Sequence, residues 1–233
     1  MDEFTNIFVI CQLVVYINNT AKQIFIICDT LLITYMKTSQ KIYLPFKRLI
    51  GIFGSFVGII FCFVLLWWWV IPVNAIVTKG HPFFARHRIG KDGKAFRCIK
   101  FRSMRNDVDP HMTSRDANSN SGITRFGKFL RETSIDETPQ LFNIFIGQMA
   151  FIGPRPLIDV SEDVITVNLR KENGADKLRP GLSGYAQIHK RGDLDPEEKA
   201  MYDGVYYQNF SLWWDIKIFA YTILKVFGAA KGK

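Results

Sequence analysis

From Leu49 to Val77 the chain reads LIGIFGSFVGIIFCFVLLWWWVIPVNAIV, with no charged residue. That exceeds the roughly 20 residues a helix needs to cross the hydrocarbon core of a bilayer. Two arrangements are open. One is a plain transmembrane helix. The other is a helix that dips into one leaflet and returns. For the second speak Lys41, Lys47 and Arg48 before the run and Lys79, Arg86 and Arg88 after it, because neither flank is the less positive. Pro72 lacks a helical hydrogen bond and marks a kink or break, and the triplet Trp67–Trp69 before it favours headgroup depth.

The apolar content of 48% crowds into the first 80 positions, while the net charge of +9 falls mostly between Lys79 and Arg131 and around Lys171–Arg191. Basic charge beside an apolar anchor points to anionic lipid headgroups or phosphorylated substrates. Nucleic acid is not expected, since no zinc-ligand spacing, RNA-binding motif or basic heptad array is present. The cysteines, Cys11, Cys28, Cys62 and Cys98, are scattered without a Cys-x-x-Cys and read as small buried or lipid-facing residues in a reducing compartment. Asp2 and Glu3 at the start argue against a secretory signal. Ile7–Ile17 and Ile24–Tyr35 are apolar but each too short to span a bilayer, and their role stays open.

Beyond Lys79 the composition is that of a soluble domain. Phe83–Ile89 and Ala95–Phe101 flank Gly90-Lys91-Asp92-Gly93, a hairpin signal, and Phe96, Cys98 and Lys100 share one face of the second strand. Asn106–Gly122 reads as a surface loop, Ile123–Glu132 as a short basic helix, Leu157–Glu172 as a helix and Pro196–Asn209 as another. In the last of these Tyr202, Val205 and Tyr206 share an inner face, with Asp203 beside it. Leu212–Phe227 is amphipathic and aromatic, suited to core packing or to a membrane surface.

The chemistry concentrates in Arg131–Pro156, RETSIDETPQLFNIFIGQMAFIGPRP. Asp136 and Glu137 lie directly before an expected helix with Thr138 as N-cap, Pro139 in first position, Leu141, Ile144 and Phe145 at helical spacing, and Gly147 as the stop. Arg155 stands between two prolines. Acid pair, helix start and braced cation point to phosphate and a metal ion. The plain alternative is a capping box over Ser134–Glu137, in which the acids only serve the helix end. Downstream, Arg179-Pro180-Gly181-Leu182-Ser183-Gly184 is a turn-rich loop whose glycines would let the backbone approach a ligand.

Five motifs in order resemble the bacterial sugar transferases, the monotopic phosphoglycosyl transferases that begin glycan assembly on a polyprenyl phosphate. They are Arg86–Gly90 with Lys94-Ala95-Phe96 and Lys100-Phe101-Arg102-Ser103-Met104; Asp136-Glu137-Thr138-Pro139-Gln140-Leu141-Phe142-Asn143; Phe151-Ile152-Gly153-Pro154-Arg155-Pro156-Leu157; Arg179–Gln187; and Tyr202-Asp203 with Tyr206-Tyr207. The resemblance implies a mixed α/β, mainly helical fold: a re-entrant membrane helix-break-helix, then a small cytosolic catalytic domain with a short β-hairpin. Its expected boundaries are an N-terminal apolar segment over 1–40, the membrane element over 41–79 and the catalytic domain over 80–233. It implies transfer of a sugar-1-phosphate from a nucleotide diphosphate sugar, usually UDP-linked, to undecaprenyl phosphate, with UMP released. Asp136 would be the nucleophile of a covalent intermediate and Glu137 its neighbour, both also ligands for Mg2+. Lys100, Arg131, Arg155 and Arg179 would bind substrate phosphate, and Asp203 would assist the acceptor or metal. Pro72 would mark the membrane break. The implied location is the cytoplasmic face of a bacterial inner membrane, among membrane lipids; a homo-oligomer is left open. The chain departs from the family in having Ile71-Pro72 for a Ser-Pro pair and His189-Lys190-Arg191-Gly192 after Gln187. The changed loop at His189–Gly192 keeps a second reading, a catalytically inactive relative acting as an anionic-lipid-binding or assembly scaffold.

Overall fold

The computed structural model describes residues 36–106, 122–158, 160–189 and 194–229. The expectations for residues 1–35, for the loop over 107–121 and for the departure at 190–192 lie outside them. The first element is a helical run of 41 residues, Thr38–Thr78, with mean hydropathy 2.8 in its most apolar 18-residue window. Only 17% of that window is buried, so the run is no core helix of a soluble protein. It comprises α1 (Thr38–Cys62), a π turn (Phe63–Trp67) and α2 (Trp68–Thr78). The break expected at Pro72 is not formed: the helix runs on through it, with Pro72 on the exposed side within α2, and the one irregularity of the run is the π turn before it.

The π turn has a packing consequence. Gly51, Ser55 and Cys62 are buried along one face of α1. A strict 3.6-residue period from Cys62 would carry that face to about residues 69 and 73; the buried positions are instead Val70, Asn74 and Thr78. The wider turn takes up one additional residue and keeps a single face on the domain. The Leu65 carbonyl, within this turn, accepts from Trp69 Nε1 at 3.1 Å.

β1 (Phe83–Ile89) and β2 (Ala95–Phe101) form the expected antiparallel hairpin, Arg88 opposite Phe96 and Phe84 opposite Lys100. Asp92 and Gly93 carry the positive φ, 55° and 72°, that the turn needs. α3 (Arg125–Glu132) begins two residues later than expected: Ile123 bridges to Met104, and Thr124 caps the helix by accepting from the Gly127 amide at 2.8 Å. A 3₁₀ turn (Ile135–Glu137) leads into α4 (Gln140–Ile146), which stops at Gly147 with φ 92°.

Two further departures follow from pairing that sequence periodicity does not display. Leu157 forms an antiparallel bridge with Ile89, so α5 spans Val160–Asn173 rather than starting at Leu157. Residues 181–183 are not loop but strand: β3 (Ala150–Ile152) and β4 (Gly181–Ser183) pair in parallel. A Cβ at Gly181 would come within 2.1 Å of the Gly153 nitrogen, so this glycine serves strand against strand rather than a ligand. α6 (Tyr185–His189), α7 (Pro196–Asn209) and α8 (Leu212–Ala229) complete the order.

Two apolar clusters hold these elements. One joins Cys62, Trp67 and Val70 of the long helix to Phe96, Cys98 and Phe101 of the hairpin and to Leu130, Leu141, Ile144 and Met149. The other gathers Ile152, Ala175, Leu178, Tyr206, Tyr207, Phe210 and Ile218.

Candidate active site

The acid pair lies in the 3₁₀ turn, between α3 and α4. Ser134, just before it, has φ 58° and makes no capping hydrogen bond with its side chain, so the capping-box reading of these acids is not realised. Thr138 does not cap α4 either; Pro139 occupies that position. The Thr138 hydroxyl instead donates to the Ile135 carbonyl at 2.8 Å and accepts from the Trp67 indole at 2.9 Å, which ties the long helix to the acid turn.

Glu137 is ion-paired with Lys100 at 2.5 Å, both side chains about three-quarters buried. Lys100 reaches it because Phe96, Cys98 and Lys100 share the inner face of β2. Burial alone would raise the Glu137 carboxyl, but Lys100, Arg155 and Arg88 together outweigh it and hold the group below the ordinary glutamate range. Asp136 has the opposite balance. Burial pushes it up to about 6, the nearby Glu137 adds to the rise, and Lys100 and Arg131 only partly oppose it. Among the described residues Asp136 forms no ion pair. Two adjacent carboxyls thus differ in kind: one is held firmly as an anion by cations, the other is raised by burial and forms no ion pair among the described residues.

Of the four cations expected to bind phosphate, the structure brings three to the acids. Lys100 contacts Glu137 directly. Arg131 is aimed by its Nε donating to Ser103 Oγ at 2.7 Å, and its charge acts on Asp136. Arg155 is exposed and its charge acts on Glu137. Arg179 is not brought to them. Its Nε donates to the Gly147 carbonyl at 2.8 Å, at the far end of α4, beside Arg48, whose guanidinium holds the carbonyls of Ile144 and Phe145 at 2.6 and 2.7 Å. Both arginines complement the carbonyl end of that helix. Asp203 is 1% exposed and paired with Arg170 at 2.5 Å.

Arg88 was missed from sequence, although the hairpin register contained the signal. Cross-strand partners share a face, and Arg88 opposite Phe96 lies on the Lys100 face. Ser103, Trp67 and Arg170 left no comparable trace, because each acts through a partner distant in sequence.

The sequence profile described as "Bacterial sugar transferase" matches residues 42–229. The chain is 35% identical over 193 residues to a UDP-glucose:undecaprenyl-phosphate glucose-1-phosphate transferase of Klebsiella pneumoniae, covering 80% of this chain and 41% of that protein. It is 36% identical over 158 residues to a UDP-N-acetylgalactosamine-undecaprenyl-phosphate N-acetylgalactosaminephosphotransferase of Aeromonas hydrophila, 65% of this chain and 37% of that protein. An uncharacterized sugar transferase, EpsL of Bacillus subtilis, is 31% identical over 185 residues, 77% of this chain and 86% of its own length. The chain spans about two fifths of the length of the first two.

Proposed function

The chain belongs to the bacterial sugar transferase family, and on that premise we propose that it transfers a sugar-1-phosphate from a UDP-sugar to undecaprenyl phosphate by two displacements at Asp136. In the first, a carboxylate oxygen of Asp136 attacks the phosphorus that bears the sugar. A P–O bond forms to the carboxyl and the bond to the departing UMP breaks. In the second, a phosphate oxygen of undecaprenyl phosphate attacks the same phosphorus, and the Asp136 carboxylate leaves. The products are UMP and an undecaprenyl diphosphate sugar, the first unit of a glycan.

The observation that carries this reading is the unequal acid pair under converging cations. With its carboxyl at about 6, Asp136 is about ten to one ionised at pH 7, so it needs no activating base. Its obstacle is repulsion. Two like charges at about 4 Å oppose each other by about 4 kcal/mol at an effective dielectric of 20. Lys100, Arg131, Arg155 and Arg88 answer that repulsion, the first three as the phosphate-binding set. Glu137, held as an anion by Lys100, keeps a fixed negative partner beside Asp136. The pair fits Mg2+, which takes one or two carboxylates and leaves its other positions to substrate phosphates and water; among the described residues no larger ligand cluster gathers. When bound, the ion would neutralise phosphate charge.

The site's lipid acceptor requires a membrane surface. The long apolar helix would anchor the domain at one, and the open apolar side of α8, where Trp213, Phe219 and Leu224 are 62%, 53% and 67% exposed, would rest on it. Contacts to the one domain occur near both ends of the helical run, from Gln40 Nε2 to the Tyr207 carbonyl and from Asn74 Nδ2 to the Pro82 carbonyl, each 2.8–2.9 Å. A re-entrant course with both flanks on the cytoplasmic face belongs to this proposal, and it rests on the positive charge that precedes and follows the apolar run.

The test is UMP release from a panel of UDP-sugars with undecaprenyl phosphate and magnesium, wild type beside Asp136→Asn. Release that needs both magnesium and Asp136, with a phosphosugar adduct on the wild type alone, is expected. Near wild-type turnover by Asp136→Asn would remove Asp136 as the nucleophile.

A further inference from the structure

Arg155 projects from a segment that is pinned on both sides. Upstream, the Gly153 amide donates to the Ser183 carbonyl at 2.9 Å and the Gly181 amide to the Pro154 carbonyl at 2.8 Å. Downstream, the Ile89 amide donates to the Leu157 carbonyl at 3.0 Å. The carbonyl of Arg155 itself accepts from Arg170 Nη1, on α5, at 3.0 Å. The other donors of that guanidinium, Nε and Nη2, both go to Asp203 Oδ2 on α7, at 2.9 and 2.5 Å. Arg170 is 6% and Asp203 1% exposed.

As a device for stability this pair is poorly made. Two buried charges pay heavily in lost hydration, and apolar residues of similar volume often serve as well or better. Asp203 Oδ1 has in addition no hydrogen-bond partner among the described residues. What the pair provides is direction. A planar guanidinium fixed by two bonds to one carboxylate oxygen holds its other three N–H groups in set directions, and here one on Nη1 ends on the Arg155 carbonyl. Pro154 and Pro156 lack amides and restrict the torsions around Arg155, so few other backbone bonds could do the same.

We propose that Arg170 and Asp203 are positioning residues for the donor diphosphate: they hold the Arg155 backbone so that its charge is directed at the acid pair. The assignment rests on the reading of Arg155 as a phosphate ligand. Asp203 then reaches the site only through Arg170, and touches neither metal nor acceptor.

The experiment measures UDP affinity in the presence of magnesium by titration calorimetry, with thermal midpoint and apparent magnesium affinity on the same full-length samples. Arg155→Ala sets the scale, with an expected loss of about tenfold, as for a charge-assisted hydrogen bond. The double variant Arg170→Met/Asp203→Leu replaces the pair by apolar groups; it should keep the midpoint yet lose UDP affinity to a similar degree, with magnesium affinity unchanged. Arg170→Lys is the second probe. An ammonium has no rigid planar fork to fix the Arg155 carbonyl relative to Asp203, so this variant should show the same loss in a folded protein. Unchanged UDP affinity in Arg170→Lys, or in a folded double variant, overturns the positioning role while Arg155→Ala still reports a phosphate ligand. No loss in Arg155→Ala overturns the phosphate reading itself, and the positioning role with it. A drop in magnesium affinity specific to the double variant would make Asp203 a metal ligand instead.

Discussion

Asp136 and Glu137 have nearly the same chemistry and opposite circumstances, and both can be read by titration. A carboxyl raised in the folded state from 3.8 to about 6 binds its proton more tightly there than in the unfolded chain. Stability therefore falls as pH rises from about 4 to 6, and the deficit persists above that. In metal-free buffer, Asp136→Asn should raise the thermal midpoint at pH 8 by an amount worth on the order of 1–3 kcal/mol and by well under about 1 kcal/mol at pH 4. An equal effect at both pH values would mean the carboxyl is not raised. Glu137 has the opposite sign: its lowered carboxyl stabilises the fold above its unfolded value and loses that contribution as the pH falls. Lys100→Met removes the directly bonded cation, so burial should then dominate and the Glu137 carboxyl should titrate higher. Carbon-detected NMR titration of a selectively labelled sample would follow it, and an unmoved Glu137 would mean that Arg155 and Arg88 suffice.

At the scale of elements, α4 is short, seven residues, and would not be stable alone. It is held in the middle by Leu141 and Ile144, at its front by Trp67 through Thr138, and at its end by Arg48 and Arg179. Phe145, at helical spacing with those two in the sequence, is 39% exposed, and its ring centroid lies 6.3 Å from that of Phe56 of α1. The β3–β4 pair is the other critical junction, since Arg155 hangs from it. A methyl at residue 181 would meet backbone atoms at 2.1–2.3 Å, whereas at Gly93 there is open space and only the φ of 72° resists. Gly181→Ala should therefore prevent normal folding. Gly93→Ala should lower stability by only about 1 kcal/mol, the left-handed penalty of a side chain. Thermal melts of both variants decide it; equal losses would mean that the close strand approach is not needed.

Over the whole molecule, the long helix is bound to the domain along much of its length. Near its start, Lys47 lies 2.6 Å from Asp215 of α8, Tyr43 donates to the same carboxylate at 2.8 Å, and Tyr206 donates to its other oxygen at 2.5 Å. Removing one member of such a buried set leaves a charge without compensation. Asp215→Ala should cost about 3–5 kcal/mol, seen as a lower unfolding midpoint in detergent or nanodiscs; a loss below about 1 kcal/mol would show the network to be incidental. Topology belongs to this scale too. Labels placed before Lys47 and after Lys79 should report the same side of the bilayer, and opposite sides would mean a spanning helix.

The sequence by itself determined the elements whose signal is local. The uncharged run, the hairpin with its Asp-Gly turn and the stop at Gly147 needed only periodicity and backbone preference, and the ordered motifs carried the family. Asp136, Glu137 and Arg155 stood out from the residues themselves, as an acid pair before a helix start and a cation between prolines, whereas Lys100, Arg131 and Arg179 were reached only through the family resemblance. Tertiary structure alone decided which cations meet which acids. Arg179 looks equivalent to Arg155 in sequence, each followed by proline, yet parallel pairing of β3 with β4 leaves Arg155 near Glu137 and turns Arg179 to the carbonyl end of α4. Pairing of distant segments sets those distances, and so does the desolvation that separates Asp136 from Glu137. Neither is a property of any stretch of sequence read alone.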